Sequence, residues 1–540
     1  MRRIQAALIS SAVGLSVAAL GGCGDNVTTR ECGPGTNEVD GVCVADDPQP
    51  SPLAPGRYLS PLVQLQRLQG EEDHMHIAQI KYREADSKLF YCSYTFGMID
   101  ASDPQDMDYE VQGLRHQTPS GSPRTPGCLH LAWDEDDLNR VYTSHRGNID
   151  FARFLSGWDL TDVDAPVQLP ALQEPDTLYG GVDVENGLIY VALQEGGLGI
   201  YDYTDESGWE HISTASDLNN AWNVQVVGDI AYVADGNAGL ATVDVSDPLA
   251  PAFIARAVFG GNAEDLVVDG DFAYIAAGSA GLVIVDVSDA TAPKVVSSVP
   301  TPGSAVGVAY ASGRAYVAAW NDTRIYDVST PASPSFISAV RLTTEQDYET
   351  CTGDVCEPDT LRPDPTARTL HVAAHGDYVF IGNWWVPYSF RLHADRKAPY
   401  AVLPEDVALI DFGPTAVGDV NTRELVVKNE GTAPLTLFDN WTDSDAFTVS
   451  PTQATIAPGD STVLTLSYTA KEAARETASL QLWSDDPLQP VRTGYLVGNQ
   501  GGLGVGHPLP AIELTLFDGS TLETTALAGN VLVLAYFATF

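Results

Sequence analysis

The chain has 540 residues, 44% of them hydrophobic and 9% aromatic, which excludes a disordered polymer and predicts roughly two to four folded domains. A formal net charge of −44 excludes nucleic acid and anionic bilayer surfaces as natural partners, because both would repel the chain. It fits solubility in an exposed or salty compartment, with basic partners as the alternative.

The first element is an address. MRRIQAALISSAVGLSVAALGGC has Arg2 and Arg3, an apolar run, then small residues, and it is too short and wrongly flanked for a spanning helix. Leu20-Gly21-Gly22-Cys23 resembles the bacterial lipobox. The resemblance implies removal of residues 1–22, lipidation at Cys23, and a membrane partner reached through that lipid. Gly24 stands where a retention aspartate would be, which favours the outer membrane of a bacterial envelope. Residues 23–52 are rich in Asp, Gly and Pro and read as a tether.

Six cysteines remain, an even number that reads as disulfides in an exported chain. ECGPGTNEVDGVC closes a small loop through Cys32 and Cys43, and CTGDVC pairs Cys351 with Cys356. Cys92 and Cys128 are left by elimination. A zinc site built on CxxC pairs or interleaved histidines is absent from the pattern.

From 53 to 403 the sequence repeats. Tyr190, Tyr232, Tyr274 and Tyr316 recur every 42 residues, and Asp202, Asp244, Asp286 and Asp327 follow at 42, 42 and 41. Alternating short strands separated by Gly-Asp, Ala-Gly and Ser-Asp-Pro turns predict four strands per unit, a β-propeller blade. Weaker copies around Tyr91, Tyr142 and Phe380 bring the expectation to seven blades, with RYLSPLVQLQRL closing the last. GLVIVDVSD resembles the LVIVD-repeat family of seven-bladed propellers, which fixes architecture and leaves function open. The aspartates are expected to tie down turns and the tyrosines to pack between blades.

The innermost strands should line a channel. Nine residues before each repeat tyrosine stand Gly181, Asn223, Asp265 and Gly307, and the same step from Phe380 gives His371. With loop insertions allowed, His76 and His130 take the place in the first two blades. Three imidazoles converging there could hold a divalent metal, with His74, His145 and His375 as alternative ligands.

Residues 404–499 lose the period and show about seven short alternating strands, an immunoglobulin-like sandwich with Trp441 and Trp483 read as core. DFGPTAVGDVNTRELVVKNEGTAPLTL resembles the abnormal-spindle-like (choice-of-anchor) domains of cell-surface and ciliary proteins. Residues 500–505 form a Gly-rich hinge. From 506 to 540, Gly506-x-Pro508-x-Pro510, Asp518-Gly519, Leu527-x-Gly529 and YFATF resemble the start of redoxin domains of the thioredoxin fold. That resemblance implies a reactive cysteine just beyond Phe540, so this stretch is expected to be a stub and the chain to carry no catalytic residue. GxSxG, P-loop, HExxH and EF-hand motifs are absent.

The sequence thus predicts a mainly β chain holding a seven-bladed propeller, an immunoglobulin-like sandwich and a thioredoxin-like stub. Its leading function is an exported lipid-anchored envelope protein. The propeller would bind a protein or small molecule, and the redoxin would carry thiol-disulfide or peroxide chemistry. The alternatives are a metal-dependent enzyme or metal-binding protein using the channel histidines, and a non-catalytic adhesion or envelope-organising protein.

Overall fold

The computed structural model describes residues 60–68, 77–115, 127–146, 153–174, 176–205, 207–320, 322–340, 342, 368–383, 386–404, 409–489 and 491–499. It also describes the backbones of two strand pairs, Thr36–Val39 with Val42–Ala45 and Glu513–Thr515 with Thr521–Glu523. The first pair lies in a compact unit of its own, Met1–Ser51, and everything else belongs to a second, Pro52–Phe540. Every regular element among the described residues is a β-strand.

Seven four-stranded antiparallel sheets dominate the second unit. The first six are each built from one continuous stretch, with innermost strands Gln79–Arg83, Gly127–Asp134, Val182–Glu185, Asn223–Val227, Asp265–Asp269 and Gly307–Ala311. The seventh takes Thr369–His375, Tyr378–Asn383 and Pro387–Leu392 and adds Leu62–Arg67, a strand from some 300 residues earlier. Each innermost strand packs beside the next, and the seventh packs beside the first, so the arrangement is a closed, propeller-like ring.

Burial explains the repeat. Leu282–Asp286 is buried at its first four positions, because a strand third from the channel is covered by a sheet on either side. One apolar cluster joins Ala273, Val283 and Val285 of the fifth sheet to Tyr232 and Leu240 of the fourth. Another joins Tyr274 and Ile284 to Val308 and Val317 of the sixth. Each such side chain contributes about 1.5–3 kcal/mol only when both neighbours are present. The repeat tyrosines sit in these seams, all under 9% exposed. The repeat aspartates close turns: Oδ1 of Asp244, Asp286 and Asp327 accepts from the backbone N–H and hydroxyl of Ser246, Ser288 and Ser329. Those donors hold the carboxyls below their ordinary range.

Closure is reinforced at two seams. Gln66 of the returning strand bonds both backbone groups of Met107 in the first sheet, and Ser389 Oγ donates to Pro104 O. Cys92 of the first sheet is bonded to Cys128 of the second, with Cα atoms 4.9 Å apart. Cys23, Cys32, Cys351 and Cys356 lie outside the described residues, as do His74, His76 and the run to Phe540; of Cys43 only the backbone is described.

Residues 401–498 form two facing sheets of four and five strands over one core that includes Phe412, Leu435, Phe447, Leu464, Tyr468, Leu480 and Leu496. The tryptophan expectation is corrected here. Leu480 and Leu482 point inward, so alternation along Glu476–Ser484 turns Trp483 outward and half-buries it, and Trp441 is 39% exposed. This domain is fastened to the sixth sheet through Arg324, whose side chain is 3% exposed. Its guanidinium bonds Asp322 at 3.3 Å and Glu430 at 3.0 Å and lies over the Phe336 and Tyr400 rings, while Tyr400 Oη donates to Asp322 at 3.2 Å.

Replacing Arg324 with Met should strand the buried Asp322 carboxylate and cost about 3–5 kcal/mol. The expected readout is a lowered urea midpoint, with the two-sheet domain melting ahead of the ring in calorimetry. An unchanged single transition would show that the junction carries no coupling.

Candidate binding site in the central channel

Pairing registers locate the channel positions. Asp100 pairs with Lys88 as Asp244 pairs with Ile230, so Phe90, one residue before Tyr91, occupies the place of Tyr232 in the first sheet. Phe90 pairs with Lys81, and the equivalents of Lys81 are Ala132, Asp183, Gln225, Val267, Ala309 and Ala373. Two residues earlier in each strand comes a second layer: Gln79, His130, Gly181, Asn223, Asp265, Gly307 and His371. Gln79 therefore takes the place expected for His76. The turn after the first inner strand, 84–87, is two residues longer than its counterpart 228–229, which carries the position back to Gln79 and not as far as His76, and His76 itself lies outside the described residues.

That second layer is tightly joined. Gln79 Nε2 is 3.2 Å from His130 Nδ1, Asn223 Nδ2 donates to Asp265 Oδ1 at 2.5 Å, and His371 Nε2 lies 3.2 Å from Asp265 Oδ2. The glycines are required by space: a Cβ on Gly181 would sit 1.8 Å from Asn223 Oδ1, and one on Gly307 would press to 3.2 Å from His371. Channel side chains also fasten one sheet to the next at four of the seven junctions. Gln79 accepts from Leu131 N, Asp183 from Val226 N, Gln225 from Val268 N, and Asp265 from Val308 N, at 2.7–2.8 Å.

Above this floor is a cavity of about 260 Å³. Lys81, Asp183 and Gln225 line one part of it, Val267, Ala309 and Ala373 another, and Tyr82, Tyr310 and Trp133 its rim. His371, 6% exposed, also borders it, and its Nδ1 has no protein hydrogen-bond partner.

Electrostatics distinguish the acids. Burial pushes the Asp183 carboxyl up to about 6, against the pull of Lys81 and two backbone N–H groups. Burial also acts to raise Asp265, but His371, the Val308 N–H and His130 outweigh it and hold the carboxyl below its usual range. Burial drives His130 down to about 3, so its ring is neutral near pH 7.

The expected metal ligands are only partly brought together. His130 and His371 share the floor with Asp265, yet among the described residues no three His, Cys, Asp or Glu side chains are grouped to hold a metal ion. His145 is buried against Phe154, and His375 stacks on Tyr82 at the rim. The residues that sequence reasoning missed are Lys81, Asp183 and Gln225. For Asp183 and Gln225 the signal was present seven residues before the repeat tyrosines, where they alternate with Val267 and Ala309.

Comparison with known proteins agrees with this division. Residues 219–257, 260–301 and 302–341 match the LVIVD repeat, and residues 401–491 match the domain described as abnormal spindle-like microcephaly-associated, ASPM-SPD-2-Hydin. No curated protein matches the chain. Among solved structures, U3-55K is 9% identical and RRP9 WD40 repeats are 9% identical, with TM-scores of 0.45 and 0.42. They cover 61% and 62% of this chain and 98% and 99% of their own. The computationally designed Ika8 protein is 8% identical at a TM-score of 0.40, covering 61% of this chain and 99% of its own. Likenesses at that level bear on neither ligand nor activity.

His130 makes a pH test available. Its folded pKa is depressed below the unfolded value of ~6.5, so the unfolded chain binds the extra proton between about pH 3 and 6.5. Its contribution to stability is present above that window and falls with pH inside it by up to ~1.4 kcal/mol per unit. Asp183, raised to about 6, has the opposite sign between about pH 4 and 6. His130→Gln should flatten the acid loss, and Asp183→Asn should steepen it, in urea midpoints taken from pH 4 to 7.

Proposed function

We propose that this chain is a ligand-binding scaffold of the bacterial cell envelope. Residues 53–403 act as a seven-bladed propeller whose channel holds a small molecule, and residues 404–499 act as an immunoglobulin-like module fixed to it. Residues 23–52 tether both to the outer membrane through a lipid on Cys23 after loss of residues 1–22. The observation that carries the binding reading is the cavity itself: inside a rigid ring, an acid, a base and an unsatisfied imidazole converge on a space that Gln79, Asn223, Gln225 and Asp265 also line and that Val267, Ala309 and Ala373 give one apolar wall. A concave space with convergent polar groups beside apolar side chains is the usual form of a small-molecule site. In the same proposal, the redoxin-like motif order of residues 506–540 assigns any thiol-disulfide or peroxide chemistry to a redoxin-like domain of which this stretch, which holds no cysteine, is one part, apart from the channel.

Filling the channel tests the reading. Pooled metabolite fractions should raise the melting temperature of the wild type but not of Ala309→Phe or of Ala374→Phe, at another residue lining the cavity, each first checked for native circular dichroism. Equal responses from wild type and both variants would remove the channel as the site. The anchor is tested separately: Cys23→Ser should shift the protein from the membrane fraction to the soluble fraction, and retention in high-salt membranes would place the anchor elsewhere.

A further inference from the structure

Lys81 and Asp183 border one cavity and feel each other's charge, with Lys81 the foremost positive influence on Asp183. Among the described residues, however, Lys81 makes no hydrogen bond and no ion pair within 4.0 Å. In the ring it is flanked by Ala132 and Ala373, which offer it nothing, while Asp183 stands two sheets away beside Gln225. Both amide groups of Gln225 are already committed to Val268, and one Asp183 oxygen to Val226. An acid and a base drawn partly out of water normally recover the lost hydration by pairing. Here the fold holds them apart on one side of the cavity, and across it stand Val267, Ala309 and Ala373 of the fifth, sixth and seventh sheets.

Building on the channel reading, we infer that the site takes a small zwitterion with a short apolar body, of the class of a free aliphatic α-amino acid. The carboxylate meets the Lys81 ammonium, the ligand ammonium meets the Asp183 carboxylate, and the aliphatic side chain lies on Val267, Ala309 and Ala373. His371 Nδ1, buried and unpartnered, supplies one further hydrogen bond at the floor. Size agrees. About 260 Å³ is just under the ~300 Å³ at which small-molecule sites usually begin, which admits an amino acid. Charge agrees as well. A ligand bearing both signs leaves neither Lys81 nor Asp183 uncompensated, whereas a simple anion or cation would leave one of them buried alone.

The test is calorimetric titration of the full chain with L-leucine, N-acetyl-L-leucine, which lacks the ammonium, and L-leucinamide, which lacks the carboxylate. Leucine is expected to bind, with each blocked analogue about 10–100-fold weaker, the range for losing one charge-assisted hydrogen bond. Lys81→Met should weaken leucine by a similar factor and leave leucinamide unchanged. Asp183→Asn should weaken leucine and leave N-acetyl-leucine unchanged. Equal affinity for all three probes overturns the zwitterion, and so does binding of none. If a probe binds, is excluded by Ala309→Phe, and ignores both Lys81→Met and Asp183→Asn, the channel reading stands and this inference falls. If leucine still binds Ala309→Phe, the channel reading itself fails.

Discussion

The structure depends on closing the ring. A four-stranded sheet of this kind is apolar on both faces, as the run Leu282–Val285 shows, and no single sheet can bury both. At four of the seven junctions one sheet is set beside the next at the channel, where a side chain of one innermost strand accepts the backbone N–H of its neighbour: Gln79 from Leu131, Asp183 from Val226, Gln225 from Val268, Asp265 from Val308. An inner strand is an edge strand, with unpaired N–H groups facing the axis. These bonds satisfy part of that edge and set the spacing between sheets at the same time. Polar residues in the channel are therefore structural first, and a ligand can use only what the clasps leave over.

That division decides which groups are candidates for recognition. Gln225 and Asn223 are occupied, and Asp265 is shared among Asn223, Val308 and His371. Lys81 is committed to nothing among the described residues, Asp183 keeps one oxygen, and His371 keeps Nδ1. In a chain of net charge −44 an unpaired lysine inside a ring is conspicuous, because acidic partners abound elsewhere. Arg140, Arg256 and Arg314 each find one at 2.5–2.6 Å.

The architecture was largely legible from the sequence, because the 42-residue period is imposed by the same seams on every sheet. Tyr232 and Tyr274 recur where two sheets meet, and Asp244 and Asp286 recur where a turn needs an acceptor. The site was legible only where the period held. His130 and His371 were found by stepping back from the repeat aromatic, and both lie on the channel floor. His76 was a miscount, since turn lengths vary between sheets, 84–87 exceeds its counterpart 228–229 by two residues, and only strand pairing shows that Gln79 holds the position. Trp441 and Trp483 misled for another reason. Large aromatics usually mean core, but alternation along a strand is absolute, and Leu480 and Leu482 already claimed the inward face.

Strand pairing also orients the two domains. Gly307 pairs with Ala318, and Ala318 with Thr323, so Asp322 and Arg324 stand at the Gly307 end of the sixth sheet. Gly307 belongs to the floor layer with His371 and Asp265. The junction through Arg324, Tyr400 and Glu430 thus fastens the two-sheet domain on the floor side of the ring. Tyr310, three residues further along the same inner strand, reaches the rim, where Tyr82 and Trp133 also stand. A small molecule bound as proposed would meet the aromatic rim from the side away from the junction, then Lys81 and Asp183, and then the layer in which Gln79 contacts His130 and Asp265 contacts Asn223 and His371. The domain is attached on the floor side, so its junction stands away from the aromatic rim. The same Arg324 contact therefore joins the two-sheet domain to the ring among the described residues without using the side chains that line the cavity.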